Sequence, residues 1–489
     1  MAQLETGVRL PSLTETMESD PETSTLNVHS NLQKQSPTKA VNVTPPTSDS
    51  EDSAAQFPRA ASPKKKLVID PTCASSTSAT TSGPTKTPSW SEEKEKAKAA
   101  AGKLPCGSPR SSRSRPSASK RIASFNSKKN ETTRITLWFW FKIWTGWFIG
   151  LKDVSSIVTI LKSSANNNVN LVWCCLLALA KLSTKSRNRH YIARKGGVKV
   201  IVASMAANPR HEYVQEYGSA ALCHLACNAE NETAIAKRGG IIYILEAMKM
   251  HPKNAELQAS GCGALSNLAY KNVSNSAAIA ARGGIAIILA AMTSHPTSVH
   301  IQTGGCGAIR NLAFKSPENK IMIARAGGIE AIRKAMTLFP TNALLQTTCC
   351  SALSNLACDV ENRGTITAAG GIASILAAME AHPTDADIQK NGCAALRNLA
   401  CNGANAQQIA REGGIAAILT ALRTHSTDAS IQICGCDALY NLATLQPENQ
   451  ERIAALGGVG AARDAMISHP SDEVLKQSAA DLLDALQVE

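Results

Sequence analysis

Aromatic side chains are scarce in this sequence of 489 residues, which has six Trp, six Tyr and seven Phe, or 4% of the chain. So few large rings argue against the core of a typical large enzyme. The 15 cysteines are too sparse for a disulfide scaffold, and the first residues lack the pattern of a secretory signal. We therefore expect reduced thiols and a cytoplasmic location, with the nucleus as an alternative.

Motifs that carry chemistry are missing as well. The sequence has no phosphate-binding glycine loop, no cluster with the spacing of metal ligands and no local nucleophile signature. An apolar stretch of 17 residues, 135–151, is interrupted by Lys142 and is shorter than the roughly 20 residues that span a membrane. We predict a protein that is not an enzyme, with no catalytic residues, no cofactor and no metal.

Proline and positive charge are concentrated near the N-terminus. Residues 1–135 hold 13 of the 21 prolines and long Ser/Thr runs, a composition that buries too little surface to offset its ordering entropy. We predict a disordered, basic, Ser/Thr/Pro-rich tail there. Residues 1–55 have a net charge of −5 and residues 56–135 of +12, which leaves +6 of the total +13 for the rest. That small charge disfavours nucleic acid as a partner of the rest of the chain.

Two basic runs lie within the tail. The first resembles a short nuclear-import signal and consists of Lys64, Lys65 and Lys66. The second contains Arg110, Arg113, Arg115, Lys120, Arg121, Lys128 and Lys129. Three interpretations stay open for these runs: nuclear import, attraction to an anionic lipid or nucleic-acid surface, and a solvated linker.

An aromatic segment follows the tail at residues 136–152. Trp140, Trp144 and Trp147 share one face there if the segment is helical, as packing against the next domain requires. A Trp-rich face beside basic residues also suits the surface of a membrane. We predict an N-terminal cap, with a membrane-interface segment as the alternative.

The rest of the chain repeats every 43 or 44 residues. Gly-Gly pairs mark the period, at 196–197, 239–240, 283–284, 327–328, 370–371, 413–414 and 457–458. An Ile lies four residues before each pair, and an Asn eight before it: Asn188, Asn231, Asn275, Asn319, Asn362, Asn405 and Asn449. Asn favours the N-cap of a helix and Gly the left-handed turn that ends one. The pattern predicts a short first helix, capped by the Asn and ended by the Gly pair.

Two more helices complete each repeat. An apolar second helix, as in 285–292, ends near a repeated His, at His251, His295, His382, His425 and His469, where it suits the helix dipole. A third helix, as in 255–269, ends in Ala-Leu-x-Asn-Leu-Ala. Cysteines recur in it and are interpreted as small core residues: Cys262, Cys306, Cys350, Cys393 and Cys436.

Three helices in about 43 residues, bent at a Gly pair, resemble the armadillo repeat family over residues 153–489. The resemblance implies an all-α, right-handed superhelical solenoid of about eight armadillo repeats, preceded by the disordered tail. Each unit then contacts mainly its neighbours. A partial first unit begins at Asp153, and the aromatic segment falls where its first helix would be.

The resemblance also implies a binding groove. In armadillo proteins the third helices line a concave groove, where an Asn near their ends hydrogen-bonds the backbone of an extended peptide. The matching residues are Asn267, Asn311, Asn355, Asn398 and Asn441, with Lys181, His224 and Ala485 in the flanking units, so this Asn ladder should occupy the middle. A carboxamide offers both a donor and an acceptor to a peptide. The alternative is a structural bond to a neighbouring unit.

A second ladder lies nine residues upstream, at Gln215, Gln258, Gln302, Gln346, Gln389 and Gln432. It is open to contact with a ligand or with neighbouring repeats. Importin-α-type grooves carry a Trp four residues before the Asn, where this chain has Gly263, Gly307, Ser351, Ala394 and Asp437. Without these indoles there are no cation–π slots for lysines, which disfavours a general nuclear-import receptor.

Basic residues flank the Asn ladder. Arg310 and Arg397 directly precede their Asn, and Lys271 and Lys315 follow theirs by four residues. They favour an acidic partner segment, with a solvated face as the alternative. We therefore predict a monomeric protein–protein interaction scaffold that binds an extended peptide in the groove. The alternative is a membrane-associated adaptor whose basic tail and aromatic segment bind anionic lipid while the solenoid recruits cargo.

Overall fold

A computed structural model of the chain describes residues 152–164 and 168–487. Within these ranges the structure consists of 23 α-helices and has no β-strand. The predicted tail, its Lys64–Lys66 run and the aromatic segment with Trp140, Trp144 and Trp147 lie outside the described residues.

The helices form eight consecutive units, numbered 1 to 8 here, of which unit 1 has two described helices and the others have three. The first helices of units 2 to 8 are Ser186–Arg194, Ala229–Lys237, Val273–Ala281, Pro317–Arg325, Val360–Ala368, Gly403–Arg411 and Pro447–Ala455. The second helices are Lys152–Ser164, Gly197–Ala207, Gly240–Met250, Gly284–Ser294, Gly328–Leu338, Gly371–Ala381, Gly414–Thr424 and Gly458–Ser468. The third helices are Val169–Ser183, Glu212–Leu225, Ala255–Ala269, Val299–Ala313, Ala343–Leu356, Ala386–Leu399, Ala429–Leu445 and Glu473–Ala485. The predicted all-α solenoid of about eight repeats is confirmed.

The two glycines of each pair have different roles, as unit 4 shows. Gly283 has a φ of 73°, in the left-handed region, and the first glycines of all seven pairs lie between 73° and 91°. Gly284 begins the second helix against the buried Ile279, and an added Cβ would collide with Ile279 Cγ2 and lie 2.7 Å from its carbonyl oxygen. The first glycine therefore makes the bend and the second lets the two helices approach closely.

The Asn before each pair is not the N-cap that the pattern predicted. In unit 4 the N-cap is Asn272, whose side chain accepts a hydrogen bond from the backbone N–H of Asn275. Asn275 lies three residues further on, and its Nδ2 donates to the Leu268 carbonyl, 2.8 Å away, near the end of the preceding third helix. The same bond, at 2.8–3.3 Å, is made by Asn188, Asn231, Asn319, Asn362, Asn405 and Asn449. These residues therefore join consecutive units.

The Gln ladder joins helices within a unit. Gln302 Nε2 donates to the carbonyl oxygens of Met292 at 2.8 Å and His295 at 3.1 Å, at the end of the second helix. Carbonyls at the end of a helix have no partner inside the helix, so the carboxamide satisfies them. The same pair of bonds is made by Gln215, Gln258, Gln346, Gln389 and Gln432. The sequence left contact with a ligand or with a neighbouring repeat open for these residues, whereas their Nε2 atoms bond the second helix of the same unit.

The repeated histidines form another link between units. His295 Nε2 hydrogen-bonds the Pro252 carbonyl of the preceding unit at 2.8 Å. The equivalent bonds, at 2.8–3.1 Å, are made by His251, His382, His425 and His469. Their position at the end of the second helix was predicted, but this bond to the neighbouring loop was not.

Small residues let the third helix pack closely against the second. Gly305 lies against Met292, whose Cγ would be 2.6 Å from an added Cβ. The five cysteines that recur in the third helices are fully buried, as predicted: Cys262, Cys306, Cys350, Cys393 and Cys436. A core of Ile, Leu, Met, Ala and Cys therefore replaces the large rings that the sequence lacks.

Candidate functional site

The third helices of successive units pack side by side along the solenoid in a constant register. Asn355 Nδ2 in unit 5 donates to the Arg310 carbonyl of unit 4 at 3.0 Å. Asn441 Nδ2 in unit 7 donates to the Arg397 carbonyl of unit 6 at 3.1 Å. We call the face of the third helices that carries the Asn ladder and its flanking residues the third-helix surface.

All five ladder residues make this bond between units. Their Nδ2 atoms donate to a backbone carbonyl of the preceding third helix at 2.8–3.1 Å, and their exposed fractions lie between 0% and 9%: Asn267, Asn311, Asn355, Asn398 and Asn441. The structural interpretation thus accounts for the Nδ2 atoms, four of which also lie 3.3–3.5 Å from a second acceptor in the preceding unit: those of Asn267, Asn311, Asn398 and Asn441. Contact of the remaining carboxamide atoms with a peptide stays a prediction.

His224 continues the ladder in unit 2. Its Nδ1 lies 3.1 Å from the Ala180 carbonyl of unit 1 and 3.3 Å from Ser183 Oγ. Burial lowers the pKa of His224 below its ordinary value, and in the part of the chain that the structure describes its buried Nε2 has no hydrogen-bond partner. The sequence predicted a break in the ladder here, but the His224 imidazole makes the bond to the preceding third helix that Asn makes elsewhere.

The two arginines of the predicted site have different surroundings. Arg397 is fully buried, and its Nη1 lies 3.3 Å from Asp437 Oδ2 in the next unit. It therefore does not present an open cation to a partner. Arg310 is half-buried and, within the described residues, forms no ion pair with a carboxylate. Its Nε donates to Asn311 Oδ1 at 3.1 Å.

Lys271 and Lys315 lie just beyond the third helices of units 3 and 4, and both are exposed. Their φ angles are 49° and 51°, in the left-handed region that few residues other than glycine adopt. Lys271 Nζ lies 5.3 Å from the centre of the Tyr270 ring, and Lys315 Nζ lies 5.4 Å from that of Phe314. No carboxylate in the described part of the chain pairs with either lysine.

An aromatic cluster on the third helices of units 1 and 2 was not predicted. Trp173 lies 5.5 Å from Tyr213 and 6.0 Å from Tyr217, measured between ring centres. Beside it, Asn254 Nδ2 donates to Glu212 Oε1 at 2.8 Å and to Glu216 Oε2 at 3.0 Å. Aligning unit 1 with unit 2 in the repeat register would have placed these rings near one another.

Among the described residues, no group of three or more His, Cys, Asp or Glu side chains has the arrangement of a metal site. No single helix in these ranges is long and apolar enough to cross a membrane, although two helix pairs, bent by 74° and 73°, meet the length and composition criteria together.

Comparison with known proteins gave a family match and structural neighbours. The family model described as the LRRK2 ARM repeat matches residues 155–412. A solved engineered protein is 21% identical and has a TM-score of 0.56, over 75% of this chain and 98% of that chain. A structure from work on a phosphorylation switch that controls the interaction between cadherin and β-catenin is 18% identical and has a TM-score of 0.61, over 70% of this chain and 68% of that chain. A search of curated protein sequences found no significant match.

Proposed function

The chain belongs to the armadillo repeat family, and on that premise we propose that it is a non-enzymatic scaffold or adaptor that binds an extended, acidic segment of a partner protein. The segment lies along the third-helix surface. We propose a cytoplasmic location, with the nucleus or the membrane surface as alternatives.

Three cations without a carboxylate partner in the described residues carry this proposal. Arg310, Lys271 and Lys315 belong to units 3 and 4, two neighbouring units of the solenoid. Neighbouring helices lie about 10 Å apart, so an extended peptide of about nine residues, some 30 Å long, reaches across three units. Acidic side chains of such a peptide would then meet all three cations.

The carboxamides beside these cations retain the capacity to bind a peptide backbone. Oδ1 of Asn267 and of Asn355 accepts no hydrogen bond within the described residues. A carboxamide oxygen has two lone pairs. Nδ2 of Asn355 also has a second N–H beyond the one that joins the units, whereas Nδ2 of Asn267 already lies 3.3 Å from Cys227 Sγ. These atoms match the N–H and C=O groups of an extended chain, whatever its side chains are.

The experiment removes the two lysines without disturbing the backbone. Full-length protein is titrated with a fluorescein-labelled nonapeptide in which Glu alternates with Ser, and with a version in which Lys replaces Glu. We expect only the acidic peptide to bind. Lys271→Asn with Lys315→Asn should weaken its binding about tenfold, because two exposed pairs contribute roughly 0.5–1 kcal/mol each. Asn tolerates the left-handed backbone at both positions.

The matched control is Lys249→Asn, an exposed lysine at the end of the second helix of unit 3. This variant should bind the acidic peptide as the parent chain does. Equal binding of the acidic and basic peptides, or no effect of the double substitution, would contradict the proposal.

The alternative function, a membrane-associated adaptor, depends on the basic tail and on Trp140, Trp144 and Trp147, which lie outside the described residues. Sedimentation of the full chain with vesicles that contain anionic lipid tests it. This alternative requires sedimentation that is lost when the three tryptophans are replaced by Ala.

A further inference from the structure

The buried ion pair between units 6 and 7 provides a template for a second position in the chain. Arg397 Nη1 lies 3.3 Å from Asp437 Oδ2, and both residues are buried. The guanidinium is oriented by Asn398, whose Oδ1 lies 3.4 Å from Arg397 Nε. Asp437 stands one helical turn before Asn441, which bonds the Arg397 carbonyl. The carboxylate therefore approaches the arginine from the next third helix.

The junction of units 4 and 5 has the same arrangement without the carboxylate. Arg310 Nε donates to Asn311 Oδ1 at 3.1 Å, and Asn355 Nδ2 donates to the Arg310 carbonyl at 3.0 Å. One helical turn before Asn355, at the position that Asp437 occupies in unit 7, stands Ser351. Its buried Oγ has no hydrogen-bond partner among the described residues.

Within the described residues, the Arg310 guanidinium thus lacks a carboxylate like that of Asp437, and the Ser351 hydroxyl lacks any hydrogen-bond partner. A buried hydroxyl without a partner is unfavourable, since buried polar groups are nearly always hydrogen-bonded. Burial also lowers the pKa of the Arg310 guanidinium, although arginine stays protonated in proteins. A half-buried cation without a counter-ion favours the entry of an anion.

We propose that a carboxylate of the bound partner segment enters the junction of units 4 and 5 and accepts hydrogen bonds from Arg310 and Ser351. It would take the place that the Asp437 carboxylate has beside Arg397. This inference rests on the proposed function and adds to it the side chain that the partner must present there, an Asp or Glu.

The test supplies the missing carboxylate from within the chain. In full-length protein, Ser351→Asp should pair with Arg310 as Asp437 pairs with Arg397, and so exclude the partner. We expect the acidic nonapeptide to bind at least tenfold more weakly to this variant. Ser351→Ala, which adds no side chain beside Arg310 and removes one neutral hydrogen bond, is the matched control and should weaken binding no more than about threefold.

A second variant keeps the test decisive if Ser351→Asp lowers the thermal midpoint. Arg310→Gln removes the charge and should weaken binding of the acidic peptide to a similar extent. The double variant Arg310→Gln with Ser351→Asp should lose no more affinity for the acidic peptide than either single variant, because the two substitutions remove the same interaction. Unchanged affinity in both single variants would overturn the inference.

The outcomes separate this inference from the proposed function. If the double lysine variant loses affinity while the Arg310 and Ser351 variants do not, the scaffold proposal stands and the inference is wrong. If the parent chain does not bind the acidic peptide, the proposed function itself fails. A nonapeptide that carries phosphoserine in place of Glu tests whether the junction binds phosphate rather than carboxylate. Tighter binding of that peptide, lost in Ser351→Asp, would assign the junction to phosphate and overturn the choice of a carboxylate.

Discussion

Removal of two ladder carboxamides tests whether the ladder holds the solenoid together. Asn311→Ala with Asn355→Ala deletes two consecutive bonds between units, from Asn311 Nδ2 to the Ser266 carbonyl at 2.8 Å and from Asn355 Nδ2 to the Arg310 carbonyl at 3.0 Å. It also deletes the bond from Arg310 Nε to Asn311 Oδ1 at 3.1 Å. Both side chains are 5% exposed, so water does not readily replace either bond. The double variant should therefore weaken the contacts of unit 4 with both of its neighbours.

The magnitude follows from burial and hydrogen bonding. Each lost bond costs about 1–1.5 kcal/mol, and each small cavity adds up to roughly 1 kcal/mol. The two substitutions together should lower the free energy of unfolding by about 2–5 kcal/mol. Strict additivity is not expected, because Asn355 bonds the residue directly before Asn311.

Urea unfolding followed by far-UV circular dichroism measures this loss in the full chain. Because repeat arrays need not unfold in one step, hydrogen exchange of the amides in units 3 to 5 gives the local change. Gln477→Ala is the matched control, since it removes an exposed carboxamide from the third helix of unit 8. A double variant as stable as this control, within about 0.5 kcal/mol, would refute the structural role of the ladder.

Other substitutions test single steps of the fold. Gly284→Ala should lower the free energy of unfolding by about 3 kcal/mol, because the added Cβ would collide with Ile279. Gly283→Ala has open space around the added Cβ and should lower it by only about 1 kcal/mol, because alanine disfavours the positive φ. Urea midpoints check the order, and equal losses would show that close helix contact is not what requires the second glycine. Because burial lowers the pKa of His224, the unfolded chain binds the proton more tightly than the folded one. Stability should therefore fall as pH drops below about 6.5, by up to about 1.4 kcal/mol per pH unit. His224→Asn should reduce this dependence between pH 7.5 and 5.5, and an identical pH profile in the variant would refute the reasoning.

The sequence predicted which candidate residues recur in the repeat register but not the bonds that they make. The repeat register located the ladder, Arg310, Lys271 and Lys315, because residues at equal positions of equal units lie on one face. It gave Arg397 the same role as Arg310, although Asp437 pairs with Arg397 and Ser351 cannot pair with Arg310 in that way. That difference depends on a contact between residues about 40 positions apart.

The sequence by itself determined the repeat unit, the three helices within it and the approximate number of units. The Gly pairs predicted the period and the bend between the first two helices, because a left-handed turn and a close helix approach each exclude almost every other residue. What only the tertiary structure decided was the direction of each polar side chain. Asn275 and Gln302 satisfy carbonyls at helix ends, and the ladder Asn joins units, since buried carboxamides must find partners that lie in neighbouring helices. A periodic pattern shows that such residues recur, whereas the packing of one helix on the next determines which atoms they meet.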